Sequence, residues 1–217
     1  MSKNNNTNPN NWIKNVAFTF AIAVMAVACS DPADKTKDAL VNEPQGDSKA
    51  AAPEGGTTYA LTDASEIKFV GSKVISGSHE GGFKGVTGNI KVVDGKIYAD
   101  GPISIDMNSI WSDNNKLTGH LKNKDFFEVE IYPTSTFLIT DVSSGVEGYS
   151  VTGDLTMHGT TKSITFDSSI DISDEEVSLT AEFDINRKDW GIDYRGPADN
   201  VINDNVVLNL LIAASAK

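Results

Sequence analysis

Residues 57–217 alternate between apolar and polar side chains with a period of two, and this pattern constrains the fold more than any other feature of the chain. Residues 102–106 and 176–183 show it most clearly. Because successive side chains of a β-strand point to opposite faces, the period predicts strands with one buried face. Turn-forming pairs such as Asp94-Gly95 and His158-Gly159 separate the strands. The sequence therefore predicts an antiparallel meander of about eight strands.

An extended sheet of this size must bury its apolar face, so we expect it to close into a barrel or to fold into a sandwich. Residues 205–214 are apolar on both faces, which is typical of a final strand covered on both sides. One stretch interrupts the alternation, because Ile110, Leu117 and Leu121 follow a helical spacing. This spacing predicts one short helix over residues 114–123, with Asp113 as its cap.

The first 28 residues have the organisation of a secretion signal. Residues 1–15 are polar and basic, and the 13 residues 16–28 are apolar apart from Thr19. Such a core is shorter than the roughly 20 apolar residues that span a bilayer. The step Ala26-Val27-Ala28-Cys29 resembles a bacterial lipobox, which predicts a lipoprotein signal peptide over 1–28 and a lipid on Cys29. The alternative is an ordinary secretory signal in which Cys29 is incidental.

The next segment, residues 29–56, is expected to be a lipidated cysteine followed by a disordered tether. It has no aromatic residue, and its large apolar side chains are Leu40 and Val41 alone. Such a composition does not bury enough apolar surface to offset the entropy lost on ordering. The folded domain is then residues 57–217, held in the cell envelope by a membrane anchor and facing the periplasm or the cell surface.

Charge and residue counts exclude several classes of function. The chain has 30 acidic and 18 basic residues, for a formal net charge of -12, which argues against nucleic acid as a partner. One cysteine rules out an internal disulfide framework and a cysteine-rich zinc site, and three histidines leave little for a histidine-rich metal centre. We therefore expect no metal and no cofactor, and the oligomeric state stays open.

Three segments in order resemble the YceI-like polyisoprenoid-binding family. They are His120-Leu121-Lys122-Asn123-Lys124-Asp125-Phe126-Phe127-Glu128-Val129 with Tyr132-Pro133, then residues 149–162, which end in Met157-His158-Gly159-Thr160-Thr161-Lys162, then Phe183-Asp184-Ile185-Asn186-Arg187-Lys188-Asp189-Trp190-Gly191. The resemblance covers roughly residues 59–214. It implies a lipocalin-like antiparallel β-barrel with a deep apolar cavity for a polyisoprenoid, an isoprenoid quinone or a fatty acid derivative. It implies no catalytic activity.

Candidate ligand-binding residues follow from the alternation and from the region of the helix. Inward-facing strand positions are expected at Phe69, Ile105, Phe137, Ile139, Val151, Leu155, Met157, Ile164, Phe166, Leu179 and Phe183. The helix is expected to cover one end of the barrel, as a movable cap or as a plug, together with Trp111, Leu121, Phe126 and Phe127. On the residues alone, an inward aromatic side chain is equally a component of a filled core.

Three functional hypotheses follow. The first is a membrane-tethered protein that binds a long apolar chain for carriage, storage or sequestration. The second is a surface β-sandwich lipoprotein that recognises glycan or protein. The third is a small envelope enzyme using His120 or His158, although we expect His120 to pin the helix and His158 to lie in a turn. Arg187 is expected to pair with an acid, or else to meet a ligand headgroup.

Overall fold

The computed structural model describes residues 31–44, 52–75, 77–145, 148–199 and 201–217. The predicted signal peptide and Cys29 lie outside the described residues, as does the middle of the expected tether. None of the helices among the described residues is long and apolar enough to cross a membrane.

The described residues form fourteen strands and one α-helix, α1 (Asn115–Leu121), together with 3₁₀ helices at Pro32–Lys35, Met107–Ser109 and Arg187–Trp190. The strands number more than the expected eight or so because several are short, with two residues in one and three in two others. The strands are β1 (Leu40–Asn42), β2 (Thr57–Leu61), β3 (Glu66–Ser72), β4 (Ser78–Phe83), β5 (Val86–Thr87), β6 (Asn89–Val93), β7 (Lys96–Ala99), β8 (Ile103–Asp106), β9 (Ile110–Ser112), β10 (Thr134–Gly145), β11 (Gly148–Met157), β12 (Thr160–Ile172), β13 (Glu176–Asn186) and β14 (Asn205–Ala216).

The strands join into a single antiparallel sheet that curls around an apolar interior. Its main path is β5-β8-β10-β11-β12-β13-β14-β2-β6-β7, and β3, β4 and β9 branch from β14. The branch arises because β14 pairs with β3 at Val207–Leu211 and with β2 at Ala214–Ala216. The predicted all-β, lipocalin-like architecture with one short helix is confirmed.

The apolar positions of the alternation form two adjoining clusters inside the curled sheet. The larger cluster includes Val151, Phe166 and Phe183 and lies among β10 to β14 and β2, β6 and β7. The smaller cluster lies at one end, where α1 and the segment after it pack Leu121 and Phe126 against the sheet. The helix therefore closes an end of the interior, as expected.

Asn114, and not the predicted Asp113, caps the helix α1. The Asn114 Oδ1 atom accepts hydrogen bonds from the backbone N–H groups of Lys116 at 2.9 Å and Leu117 at 3.2 Å. Asp113 instead bonds the Nδ1 atom of His79 on β4, at 2.9 Å. Both residue types cap helices well, so composition alone did not distinguish them.

The final strand β14 is covered on its outer face at one end only. Val207 is buried, close to the 3₁₀ helix Pro32–Lys35 that contacts β14, whereas Leu211 is 40% exposed. The expectation of a strand covered on both sides is therefore met only where the N-terminal segment packs.

The prediction of a disordered tether is wrong for residues 31–44. This segment forms the 3₁₀ helix Pro32–Lys35 and the strand β1, which pairs with β12. Its composition is poor in large apolar side chains, but it gains backbone hydrogen bonds from strand edges that are more than a hundred residues away. Such bonds leave no local pattern in the sequence.

Candidate ligand-binding interior

A band of aromatic and aliphatic side chains crosses the interior from β10 to β13. The rings of Phe166 and Phe183 stack with their centroids 4.3 Å apart, and Phe137 lies 6.0 Å from Phe166. Gly153 makes room for the Phe137 ring, because a Cβ atom there would lie 2.3 Å from Phe137 Cζ. The surface they form offers apolar contact and ring faces, which suit a hydrocarbon chain.

The wall continues across β13, β14 and β3 in register. Ala181 lies opposite Leu210, which lies opposite Ile67, and the neighbouring row pairs Phe183 with Leu208. These side chains share one face because alternate residues of a strand point the same way. The face is the inner one, since Phe183 is 3% exposed and belongs to the interior cluster.

Several inward side chains in this wall keep part of their surface accessible. They pack against the interior cluster without being fully buried, and they are Ile67, Phe137, Leu179, Ala181, Leu208 and Leu210. Filled cores leave few voids larger than a water molecule. These side chains are therefore the part of the inner wall that remains available for contact with a bound apolar chain.

The end of the interior next to α1 is packed by aromatic contacts. Phe126 lies 5.1 Å from the ring of His120 and 5.1 Å from that of Tyr194. Phe127 meets Phe83 edge-on, with ring centroids 5.8 Å apart. These side chains cover the sheet end, and His120 bonds Asp125 across the loop that follows α1, at 3.3 Å. His120 thus pins the helix and the following loop together.

A buried corner joins the second and third family-like segments. Trp190 is fully buried, and its indole N–H donates to the carbonyl of Leu155 at 3.1 Å. His158 lies in the turn between β11 and β12 with a φ of 51°, as expected of a turn residue. Its Nδ1 atom donates to the Trp190 carbonyl at 3.1 Å. His158 therefore has a structural contact in this corner.

Arg187 fastens the long loop before β14 to the same corner. Its guanidinium donates to the carbonyls of Asn203 and Ile192 and to Asp204 Oδ1, the last at 3.3 Å. The side chain is buried, and burial lowers the pKa of Arg187 while Asp204 opposes that shift. Of the two expected roles, the structure supports pairing with an acid.

The structure assembles most of the predicted site residues and displaces one. The larger cluster contains or contacts Phe137, Ile139, Val151, Leu155, Ile164, Phe166, Leu179 and Phe183. The end cluster contains or contacts Phe69, Ile105, Leu121, Phe126, Phe127 and Met157.

Trp111 is the displaced residue, because it packs on the outer face of the sheet. Phe69 covers Gly81 on the inner face of β4, so its neighbour Gly82 presents the outer face, where the Trp111 indole lies. Ile110, the preceding residue on β9, is buried in the end cluster. The prediction that Trp111 lines the mouth is therefore wrong, since alternation along β9 sends its side chain outward.

Sequence reasoning missed three inward positions, Ile67, Leu208 and Leu210. The alternation places Ala181 on the inner face between Leu179 and Phe183, and it also marks Ile67, two residues before Phe69. On β14 apolar residues occupy both faces, so the alternation does not indicate which face is inward.

Sequence reasoning also missed Asp184, which stands at an outward position but is only 1% exposed. Thr36 Oγ1 and Asn205 Nδ2 donate to its carboxylate at 2.7 and 2.8 Å. Burial raises the pKa of Asp184 above its ordinary value, although those two hydrogen bonds oppose the shift. The N-terminal segment that covers Asp184 explains its burial.

A polar cleft of about 460 Å³ lies outside the sheet beside Asp184. Its lining includes four aspartates and is completed by neutral residues: Asp31, Ala33, Asp34, Thr36, Asp38, Asn203, Asp204 and Asn205. Within the described residues, no group of three or more histidine, cysteine or acidic side chains is arranged to hold a metal ion. The cleft is chemically distinct from the apolar interior.

Comparison with known proteins agrees with the fold. Residues 59–214 match the YceI-like domain. A UPF0312 protein of Pseudomonas putida is 32% identical over 154 residues, which make up 64% of this chain and 77% of that protein. A UPF0312 protein of Yersinia enterocolitica is 37% identical over 68 residues, which make up 31% of this chain and 35% of that protein.

Two solved structures have the same architecture. Burkholderia cenocepacia BcnA superposes with a TM-score of 0.61 at 22% identity, over 71% of this chain and 99% of that chain. A polyisoprenoid binding domain from Saccharophagus degradans, described as implicated in plant cell wall breakdown, superposes with a TM-score of 0.60 at 19% identity. That match covers 75% of this chain and 100% of the other. At these identities the comparison establishes the shared fold.

Proposed function

Because this chain belongs to the YceI-like family, we propose that it is a binding protein whose ligand is a long apolar chain held inside the curled sheet. The observation that carries the proposal is the row of inward apolar side chains that keep accessible surface, such as Ala181 and Leu210. A structural neighbour described as a polyisoprenoid binding domain supports a ligand of that chemical class. An isoprenoid quinone or a fatty acid derivative would use the same contacts.

The energetics of such binding come from apolar contact alone. Each methylene transferred from water to an apolar interior contributes about 0.8 kcal/mol. The stacked rings of Phe166 and Phe183 provide flat apolar surface beside the space lined by Leu208 and Leu210. A slim chain fits an interior of this kind, because a barrel of about eight strands is only wide enough for side chains or one small ligand.

We further propose that the protein works in the cell envelope, anchored by a lipid on Cys29, for carriage, storage or sequestration of its ligand. The lipobox-like step before Cys29 supports this proposal. Asp31, two residues later, accepts a hydrogen bond from Ser72 Oγ on β3 at 2.8 Å. An acyl anchor at Cys29 would thus hold the domain directly at a membrane surface, without a long linker between them.

Native mass spectrometry of full-length protein purified from membranes tests this function. Organic extraction of the same sample should release an apolar molecule whose mass equals the difference between bound and free protein. Cys29 should carry acyl mass, and a Cys29→Ser variant should move to the soluble envelope fraction. The binding proposal fails if no ligand mass is found and neither geranylgeraniol nor cis-parinaric acid binds the purified protein.

A further inference from the structure

We propose that β1 is a movable gate in the wall of the sheet, and that its departure opens a lateral entrance to the interior between β12 and β13. The passage of an apolar ligand through this entrance rests on the proposed binding function, whereas the gate itself is inferred from the strand pairing. β1 lies before residue 59, so it is outside the part of the chain that matches the family.

The gap that β1 fills is created by its two neighbours. β12 and β13 pair with each other only where Ser169–Ile172 face Val177–Thr180. From that point β12 continues its pairing with β11, and β13 continues with β14. The edges of β12 and β13 that face each other therefore make no backbone pairing with one another over the remaining length of both strands.

β1 and the residues just before it occupy this gap with backbone bonds on both sides. β1 runs antiparallel to β12, with Leu40 opposite Thr165, and Asp38, two residues before β1, makes a parallel bridge to Asp184 of β13. The Ala39 N–H donates to the Asp184 carbonyl at 2.9 Å, and the Asp184 N–H donates to the Lys37 carbonyl at 3.2 Å. A segment that runs antiparallel to β12 must run parallel to β13, because β12 and β13 are antiparallel to each other.

Side-chain burial shows that β1 and the preceding residue Ala39 are part of the wall. Ala39 is 7% exposed and Val41 packs against the interior cluster, whereas Leu40 between them is 66% exposed. Val41 lies opposite Ile164, two residues from Phe166 of the stacked aromatic pair. Removal of β1 would therefore open the wall next to the stacked rings of Phe166 and Phe183.

The contacts that hold β1 are weak in comparison with those of the strands around it. The strand has three residues, and the inward side chains here, Val41 and the preceding Ala39, are small. Its flanking ion pairs, Lys37–Asp167 and Lys162–Glu43, each include a side chain that is more than three-quarters exposed. Exposed pairs of this kind contribute little. A short segment with few buried contacts opens at a lower free energy than the whole domain.

Opening here would leave the rest of the interior closed. The end of the interior covered by α1 is the other candidate for an entrance. Leu121 and Phe126 close that end, and both are about as buried as Ala39. It is also supported by the bonded corner around Trp190. Lys37 follows the proposed anchor at Cys29 by eight residues, a span of at most about 28 Å. On the proposed anchoring, the gate lies close to the bilayer that holds apolar chains.

Thiol labelling tests the gate without any ligand. In full-length Cys29→Ser protein, an Ala181→Cys variant places a single thiol on the inner wall. Adding Ala39→Pro removes the N–H that bonds Asp184 and should speed maleimide labelling about tenfold or more. Leu40→Ala is the matched control on the outer face of β1 and should leave the rate unchanged. Equal rates in a folded Ala39→Pro protein, verified by circular dichroism, would overturn the gate.

A cross-link provides the reverse test if Ala39→Pro does not fold. Leu40→Cys and Thr165→Cys in the Cys29→Ser protein join Cα partners of an antiparallel pair, whose separation suits a disulfide. Oxidation should slow both uptake and release of cis-parinaric acid about tenfold or more in stopped-flow fluorescence, with little change in Kd. The reduced protein is the control.

The cross-link experiment also separates the two proposals. Unchanged rates of uptake and release in the oxidised protein would overturn the gate while leaving the binding function intact. If the wild-type protein binds no probe at all, the binding function fails. In that case, amide hydrogen exchange on the wild-type protein decides the gate, since the Ala39 and Asp184 amides must exchange faster than those of the β13–β14 ladder. Equal protection would overturn it.

Discussion

Asp184 is buried although its place in the alternation predicts an outward, exposed side chain. It is an outward-facing carboxyl group on β13, and the segment around Thr36 and Asp38 covers it. Burial raises its pKa, and the nearby Asp38 adds to the shift. Folding therefore makes this carboxyl group easier to protonate than it is in the unfolded chain, which links docking of the N-terminal segment to pH.

The sign of this linkage defines the first prediction. A carboxyl group with a raised pKa stabilises the fold less as pH rises from the ordinary Asp value of about 3.9 towards the folded-state value. Asp184→Asn removes that loss. The free energy of unfolding of the variant should therefore rise relative to that of the wild type as pH rises through this window. Urea unfolding at a series of pH values measures it. Asp167→Asn, a change at a half-exposed surface carboxylate, is the control, and parallel pH profiles for wild type and Asp184→Asn would contradict the assignment.

At the scale of the element, helix α1 depends on its cap. It is seven residues long, and isolated helices of that length are marginal. Asn114 satisfies two of its first N–H groups, at Lys116 and Leu117. The helix in turn places Leu121 in the end cluster, so its stability affects how well that end of the interior is closed.

Asn114→Ala should lower the free energy of unfolding by about 1 kcal/mol, the usual effect of removing an N-cap side chain. Asp113→Ala is the comparison, because it removes the neighbouring polar side chain without removing the cap. Its effect should be smaller, since its contact with His79 is exposed. Urea denaturation of both variants at one pH measures the difference. A larger loss for Asp113→Ala would show that the cap had been assigned to the wrong residue.

At the scale of the whole molecule, the interior is a property of the complete curled sheet. Its partly accessible inner positions lie on β13, β14 and β3, which are brought side by side by pairing between distant residues. Leu155 is buried and its carbonyl is bonded by Trp190, so enlarging that side chain would disturb the corner. Ala181 is partly accessible on the inner wall, which makes it the better position for a test.

Ala181→Leu should weaken binding of cis-parinaric acid or geranylgeraniol about tenfold or more, because displacing two buried methylenes at about 0.8 kcal/mol each changes Kd by roughly that factor. The melting temperature should change little, since on the proposed function the new side chain occupies the space of the ligand. Thr180→Leu, at the exposed outward position next to it, is the matched control for both measurements. A stability loss of about 1–3 kcal/mol in Ala181→Leu would mean that the interior is packed there.

The sequence predicted the fold well and the candidate site in part. Strand alternation located Phe166, Phe183 and most of the inner surface, and the helical spacing located α1. It misplaced Trp111, because the short strand β9 that orients the indole has no recognisable pattern of its own. It also left the inner face of β14 unassigned, since apolar residues lie on both faces of that strand.

By itself, the sequence determined the features that depend on local geometry. Alternate residues of a strand share a face, and residues three and four apart share the side of a helix, so the strands, the turn at His158-Gly159 and the helix are all encoded within a few residues. Only the tertiary structure decided that residues 31–44 dock, that β1 fills the gap between β12 and β13, and that Asp184 is buried beneath them. The physical reason is that a backbone hydrogen bond between Ala39 and Asp184 depends on how two strands diverge, and not on which side chains they carry.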